Sequence, residues 1–392
     1  MRDRWTRRRL LTTAGGVTAT TLAGCSSFGP GGSAPGTDWP QPRFDVRRTG
    51  ANLAAAGPAS GGERWSRVTG DRASGAVVDG DRLAVGGTGI FSLTASSGDE
   101  RWHRPSPFES RATPTLANGA VYASSRSILY ALEAGNGDRR WTHSSDLRHF
   151  HAPVVTDGIV LVGTTVTRFS TAFEAELIAF GAATGAERWR ATVGSHVLPP
   201  YAPASDGETV YVGRDRLTAL ERSSGVERWT ASPEGVSAFT DPTVVEDRVY
   251  VAGVRPLDGV PGGVVLALDA TSGDVVWRVE TGLSPAALAV ADGTVYVTAD
   301  RVLALDAADG TVEWAVEDNR FLTAPPSLAG DRLYVAGIDG TVRALAAPDG
   351  RSIWERRLPG SVLSAPTVAG ELLYVGSGEG RLYALGSPRT TP

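Results

Sequence analysis

The 392-residue chain contains no lysine, so all 38 of its basic residues are arginine. It has one cysteine, Cys25, which rules out an intramolecular disulfide. Asparagine occurs at only four places, Asn52, Asn118, Asn136 and Asn319, and histidine at five. No apolar run is long enough to span a bilayer as a helix. The formal charge is −5, and without residues 1–24, which hold five Arg and one Asp, it becomes −9. An acidic body of this kind is a poor match for nucleic acid, and no nucleic-acid partner is expected. No Gly-x-Ser-x-Gly elbow or Ser/His/Asp set suggests a hydrolase.

What the chain has in quantity is glycine, 48 residues, and ten tryptophans, eight of them on a repeating stretch. The clearest copy is Ala267-Leu-Asp-Ala-Thr-Ser-Gly273-Asp-Val-Val-Trp277. A small residue ten places before a Trp and a Gly four before it recur seven times, with Trp102, Trp141, Trp189, Trp229, Trp277, Trp314 and Trp354. The glycines are Gly98, Gly137, Gly185, Gly225, Gly273, Gly310 and Gly350, and the Gly61 to Trp65 stretch is an eighth, partial copy. A period of about 40 residues indicates a propeller or a solenoid. The apolar run before the turn reads as a buried strand and the Gly as a site of positive φ or close approach. The Trp reads as a wedge between neighbouring sheets, its N–H needing a partner.

Between copies lie runs such as Ala-Pro-Thr-Val and Val-Tyr-Val, separated by turn letters such as Asp292-Gly293. Each unit therefore supplies four strands, and there are eight units. The last, near 364–386, lacks its Trp strand, which the stretch around Trp65 can supply. The expected fold is all-β: an eight-bladed β-propeller of four-stranded blades, closed by pairing of its N- and C-terminal strands. The expected organisation is a signal peptide over 1–24, a Gly/Pro/Ser tether over 25–37, a docking segment over 38–59, the propeller over 60–386 and a tail over 387–392.

The Ala-x-Asp-x-x-Thr-Gly-x-x-x-Trp stretch resembles the tryptophan-docking motif of the pyrroloquinoline-quinone-type (PQQ-like) propeller repeat. Trp39-Pro-Gln and Arg47-x-Thr-Gly resemble segments that precede such repeats in secreted members. Thr6-Arg7-Arg8-Arg9-Leu10-Leu11 resembles a twin-arginine export signal, with Arg7 and Arg8 as the pair. Leu22-Ala-Gly-Cys25 resembles a lipobox, which would make Cys25 the lipid-bearing residue holding an exported protein on the outer face of the cytoplasmic membrane.

Two blades exceed the usual spacing by about ten residues, at 164–176 and 254–263, both between second and third strands and so on one face. The same face receives 142–151, with three histidines. His149, His151, Tyr201, Asp241 and Phe321 are the candidates for a funnel mouth. His149 and His151 could begin a metal site, but no third ligand is evident and none is expected to be bound. A polar rim accounts for the same residues.

Three functions fit. Quinoprotein dehydrogenases share the ring, but the resemblance would require an adjacent-Cys disulfide, a Trp floor and axial Glu, Asn and Asp; this chain has a single Cys, only Trp5 and Trp39 outside the docking positions, and Asn at only four places. No cofactor, PQQ included, is therefore expected. Architecture and anchoring are similar to the lipoprotein propeller of the outer-membrane β-barrel assembly machinery, implying a monomeric, non-catalytic scaffold for an extracytoplasmic protein partner. A receptor for a small molecule or sugar in the funnel is the third.

Overall fold

The computed structural model describes residues 36–166, 174–194, 202–257, 260–282, 287–317, 322 and 324–387. Arg7, Arg8, Cys25, Tyr201 and Phe321 lie outside the described residues. Within the unit spanning 33–392, the described strands form eight antiparallel sheets of four principal strands. Blade 1, for example, is Ala76–Asp79, Arg82–Gly86, Gly89–Thr94 and Glu100–Pro105, ordered from the axis outward. Blades 2 to 7 follow the same plan. No helix occurs among the described residues.

Blade 8 holds Thr367–Ala369, Leu372–Gly376 and Arg381–Leu385, and Glu63–Val68 completes it by antiparallel pairing, with Trp65 opposite Ala384 and Val68 opposite Arg381. The ring therefore closes with strands from both ends of the repeat region, which removes two open sheet edges.

The eight indoles hold the blades together in one repeated arrangement. Each Nε1–H donates to a carbonyl of the next blade: Trp65 to Ala95, Trp102 to Ala134, Trp141 to Ala182, Trp189 to Arg222, Trp229 to Ala270, Trp277 to Ala307 and Trp314 to Ala347. Trp354 finds Pro58 in the equivalent place, seven residues before Trp65. The motif glycine lies under the ring. A methyl group on Gly310, where φ is +77, would sit 2.8 Å from Cε3 of Trp277. Glycine is thus required twice over, for its left-handed φ and for the approach of the indole.

The Val-Tyr-Val tyrosines reinforce these joints. Tyr250 Oη shares the Ala307 carbonyl with Trp277, and Tyr374 shares Ala95 with Trp65. Leu, Val and Ala of the middle strands fill the space between blades and are almost wholly buried. Burying a buried Leu or Val side chain is worth about 1.5–3 kcal/mol each, so the core is spread around the ring rather than gathered at one centre.

Candidate functional site: the belted channel

Each inner strand runs toward the face that carries the Thr-Gly turns, as the bond from Ala95 N to Asp81 O between the two turns of blade 1 shows. The opposite face carries the hairpins between second and third strands and the crossings between blades. Two of those hairpins are long. In blade 3 they are Ile159–Val166 and Glu174–Gly181, and in blade 5 Arg248–Leu257 and Val260–Asp269. The corresponding strands elsewhere have five or six residues.

The segment before the repeats makes a complete turn inside the channel. Gly36 O accepts from Gly370 N of blade 8 at 2.7 Å. Trp39 and Val78 of blade 1 exchange both backbone bonds, at 2.7 and 2.8 Å. Pro40 O takes Leu116 N of blade 2, and the Gln41 amide grips both backbone groups of Val155 in blade 3 at 3.0 Å. Val46 O, Arg47 O and Thr49 O accept from Ser205, Val244 and Val290 of blades 4, 5 and 6. Ala51–Asn52 then pairs in parallel with Ser327–Ala329 of blade 7, and Gly57 N returns to Gly370 O. A single strip of backbone thus satisfies the inner edge of all eight blades.

This belt lies toward the Thr-Gly end of the inner strands. Trp39, fully buried, packs edge-on against Phe44 at a centroid distance of 5.3 Å. Asn52 spends its amide on the carbonyls of Gly36, Asp38 and Val368. Arg43, Phe44 and Arg48 all adopt left-handed φ, at 66, 77 and 61°, a conformation costing about 1–2 kcal/mol for a non-glycine residue.

Of the residues singled out for the funnel mouth, Asp241 is tied to the belt. Its Oδ2 accepts from Arg48 Nη2 of the belt and its Oδ1 from Ala202 N at 3.0 Å. His149 stands in the short strand Arg148–Phe150, opposite Thr165. His151 Nε2 lies 3.0 Å from Thr165 Oγ1. Burial pushes the His151 imidazole down to about 4, with His149 and Arg214 adding like-charge repulsion. It is therefore a neutral, hydrogen-bonded histidine at pH 7. Arg43 and Arg48, which carry the charge at the belt, carry no motif by which the sequence could have revealed them.

The belt itself offers no evident seat for a quinone with its metal. Among the described residues no three His, Cys, Asp or Glu converge as metal ligands. Trp39, the indole carried by the belt, is buried against Phe44 and offers no open face, and the Asn52 amide is already committed.

An eight-bladed propeller with tryptophan-docked blades defines the class of the protein, and its sequence places it more narrowly. The family model described as outer membrane protein assembly factor BamB matches residues 49–197, 174–298 and 298–387, and the chain belongs to this PQQ-repeat family. The structure is similar to that of BamB from Moraxella catarrhalis, with 20% identity and a TM-score of 0.61 over 84% of this chain and 98% of that one. It is also similar to quinohemoprotein alcohol dehydrogenase from Comamonas testosteroni, with 15% identity and a TM-score of 0.72 over 92% and 82%. At such identities the likeness shows the fold alone, and the solved structures that share it include a BamB and an alcohol dehydrogenase. A curated relative, the serine/threonine-protein kinase AfsK of Streptomyces griseus, is 34% identical over 138 residues. That match takes in 32% of this chain and only 16% of the kinase.

Proposed function

We propose that the chain is an exported, lipid-anchored propeller that captures a protein partner without catalysing a reaction. The observation that carries this reading is the pair of long hairpins in blades 3 and 5, both on the face opposite the Thr-Gly turns. Regular blades need only five or six residues per strand, so the added length serves something other than ring closure. The family model, named for an assembly factor, supports a binding role. The likeness to Moraxella BamB and the Leu22–Cys25 lipobox support an extracytoplasmic location on the outer face of the cytoplasmic membrane.

The test is capture from detergent-solubilised membranes of the source cell with the lipidated protein, against a variant in which 164–176 and 254–263 are replaced by short turns. Shortening a loop changes closure entropy only slowly, so the ring should survive. Loss of a specific partner in the trimmed variant, with unchanged melting, supports the reading. A specific partner retained in full would move the interface to the turn face or the outer rim. A second reading, a receptor for a small molecule in the channel, is favoured by the buried arginines of the belt.

A further inference from the structure

The belt carries two buried arginines, of which Arg48 has an acidic partner in the ring, Asp241, through Nη2 alone, and Arg43 has no hydrogen-bond partner for its guanidinium. Arg43 and Arg48 are each 3% exposed. Nε, Nη1 and Nη2 of Arg43 have no hydrogen-bond partner, nor do Nε and Nη1 of Arg48. Buried donors are almost always paired, and an unpaired guanidinium is among the most expensive groups to bury. Either the site is a standing cost to the fold, or a group outside the protein satisfies it.

We propose that Arg43 and Arg48 form an anion site at the belted end of the channel, for a carboxylate or phosphate group of a small molecule. A planar guanidinium with its whole fork free matches an oxyanion that can accept two parallel bonds. The acids nearby do not fill that role. Asp241 has both oxygens engaged, on Arg48 Nη2 and Ala202 N. Asp45 accepts from the Thr49 backbone N–H at 3.0 Å, and burial raises its pKa. Burial and the neighbouring Arg48 hold the Arg43 guanidinium down at about 9, against the weaker pull of Asp241 and Asp45. A bound anion would reverse that shift.

The backbone is shaped around the same group. Gly50, at φ +66, lies so close that a methyl there would meet Arg43 Nη2 at 2.9 Å and the Ala289 methyl at 3.2 Å. Gly50 N in turn donates to the Arg43 carbonyl at 3.0 Å, so the belt doubles back over the guanidinium. Because the free donors are sealed from solvent, the anion must be enclosed when the belt closes or enter by local opening. Slow exchange and retention through purification follow. This inference does not depend on the protein-capture reading, since it concerns a different part of the molecule.

The test uses purified full-length protein, with two readouts. Acid-denatured protein is assayed by ion chromatography and mass spectrometry for released anions, where about one equivalent per chain is expected for a single closed site. Separately, melting is followed in inorganic phosphate, malonate or chloride at matched ionic strength. Phosphate or malonate should raise the midpoint with concentration while chloride does not. A response to one and not the other identifies the class of oxyanion. Arg43→Met should abolish the response and the released anion. Arg43→Lys, which keeps the charge but loses the fork, should weaken it by about tenfold or more. If Arg43→Met does not fold, the released anion and the lysine variant still decide. No released anion, an equal response to all three salts and an Arg43→Met protein more stable than its parent would together overturn the site. The arginine would then be a solvated or merely tolerated buried charge.

Discussion

Trp354 donates its indole N–H to the carbonyl of Pro58, 296 residues earlier, at 3.2 Å. The other seven docking tryptophans reach a carbonyl of the blade that follows them in the chain. Here the next blade begins at the other end of the sequence, and Tyr334 Oη reaches the same Pro58 carbonyl at 3.4 Å. Closure therefore rests on the turn before Glu63–Val68 as well as on the strand itself. Deleting 60–69 should leave the edge of Arg381–Leu385 unpaired, with concentration-dependent aggregation by light scattering. A monomeric deletion variant with the parent's melting midpoint would contradict closure by this strand.

The docking indoles should carry stability. Trp277 is buried and holds Ala307 O at 2.9 Å, and truncating a buried aromatic typically costs about 3–5 kcal/mol. Trp277→Ala should lower the unfolding free energy by that order in denaturant titration. Gly310→Ala should also destabilise, by about 1–2 kcal/mol from its left-handed φ alone, with the Trp277 contact adding to it. An unchanged midpoint in either variant would mean that the indole is not wedged between blades.

The ring was legible because its instructions are local. Each blade repeats a Gly four residues before a Trp, and the structure uses every one of those glycines as a floor for the preceding indole. The belt was legible as a docking segment over 38–59, but its path round the channel was not. Apart from the Gln41 amide, its contacts run mostly through backbone groups such as the carbonyls of Pro40, Val46, Arg47 and Thr49, which any residue could provide and which leave no periodic pattern. Asp241 was visible as a channel residue, but not its partner Arg48, which reaches it from 193 residues away. His149 and His151 alternate about Phe150 as a short strand requires, yet burial of His151 depends on the extended hairpin beside it.

Export and anchoring rest on the N-terminal letters alone. Cys25→Ser should move the protein from the membrane to the soluble fraction, because a lipid chain's affinity comes from its buried methylenes. Arg7→Lys with Arg8→Lys should leave precursor in the cytoplasm. Immunoblots of fractionated cells read both, and unchanged distribution in both variants would remove the lipoprotein reading without touching the fold.

Acid should weaken the ring through His151. Its folded-state imidazole resists protonation down to about 4, whereas an unfolded histidine takes its proton near pH 6.5. Between those values the unfolded chain binds more protons. The stability associated with a neutral His151 is therefore complete above about pH 6.5 and is lost as the pH falls toward 4, by up to about 3 kcal/mol. His151→Gln should flatten this part of the profile relative to the parent in denaturant titrations between pH 7.5 and 4.5. Parallel profiles for the two proteins would show that the imidazole is already solvated.

A quinone-dependent reaction makes a different demand on the channel from the anion site, and the two can be separated. PQQ with Ca²⁺ needs converging metal ligands and an open aromatic floor. The described residues offer no ligand cluster, and Trp39 is covered by Phe44. PQQ is nevertheless a polycarboxylate, so some attraction to Arg43 and Arg48 would not by itself signal catalysis. Adding PQQ and Ca²⁺ to the purified protein should give no dye-linked oxidation of alcohols or sugars. Any bound chromophore should be displaced by malonate or phosphate and lost in Arg43→Met. Tight binding at micromolar PQQ that needs Ca²⁺ and persists in Arg43→Met would place a true cofactor site elsewhere in the funnel. Turnover accompanying that binding would favour the dehydrogenase reading and displace the binding-platform one.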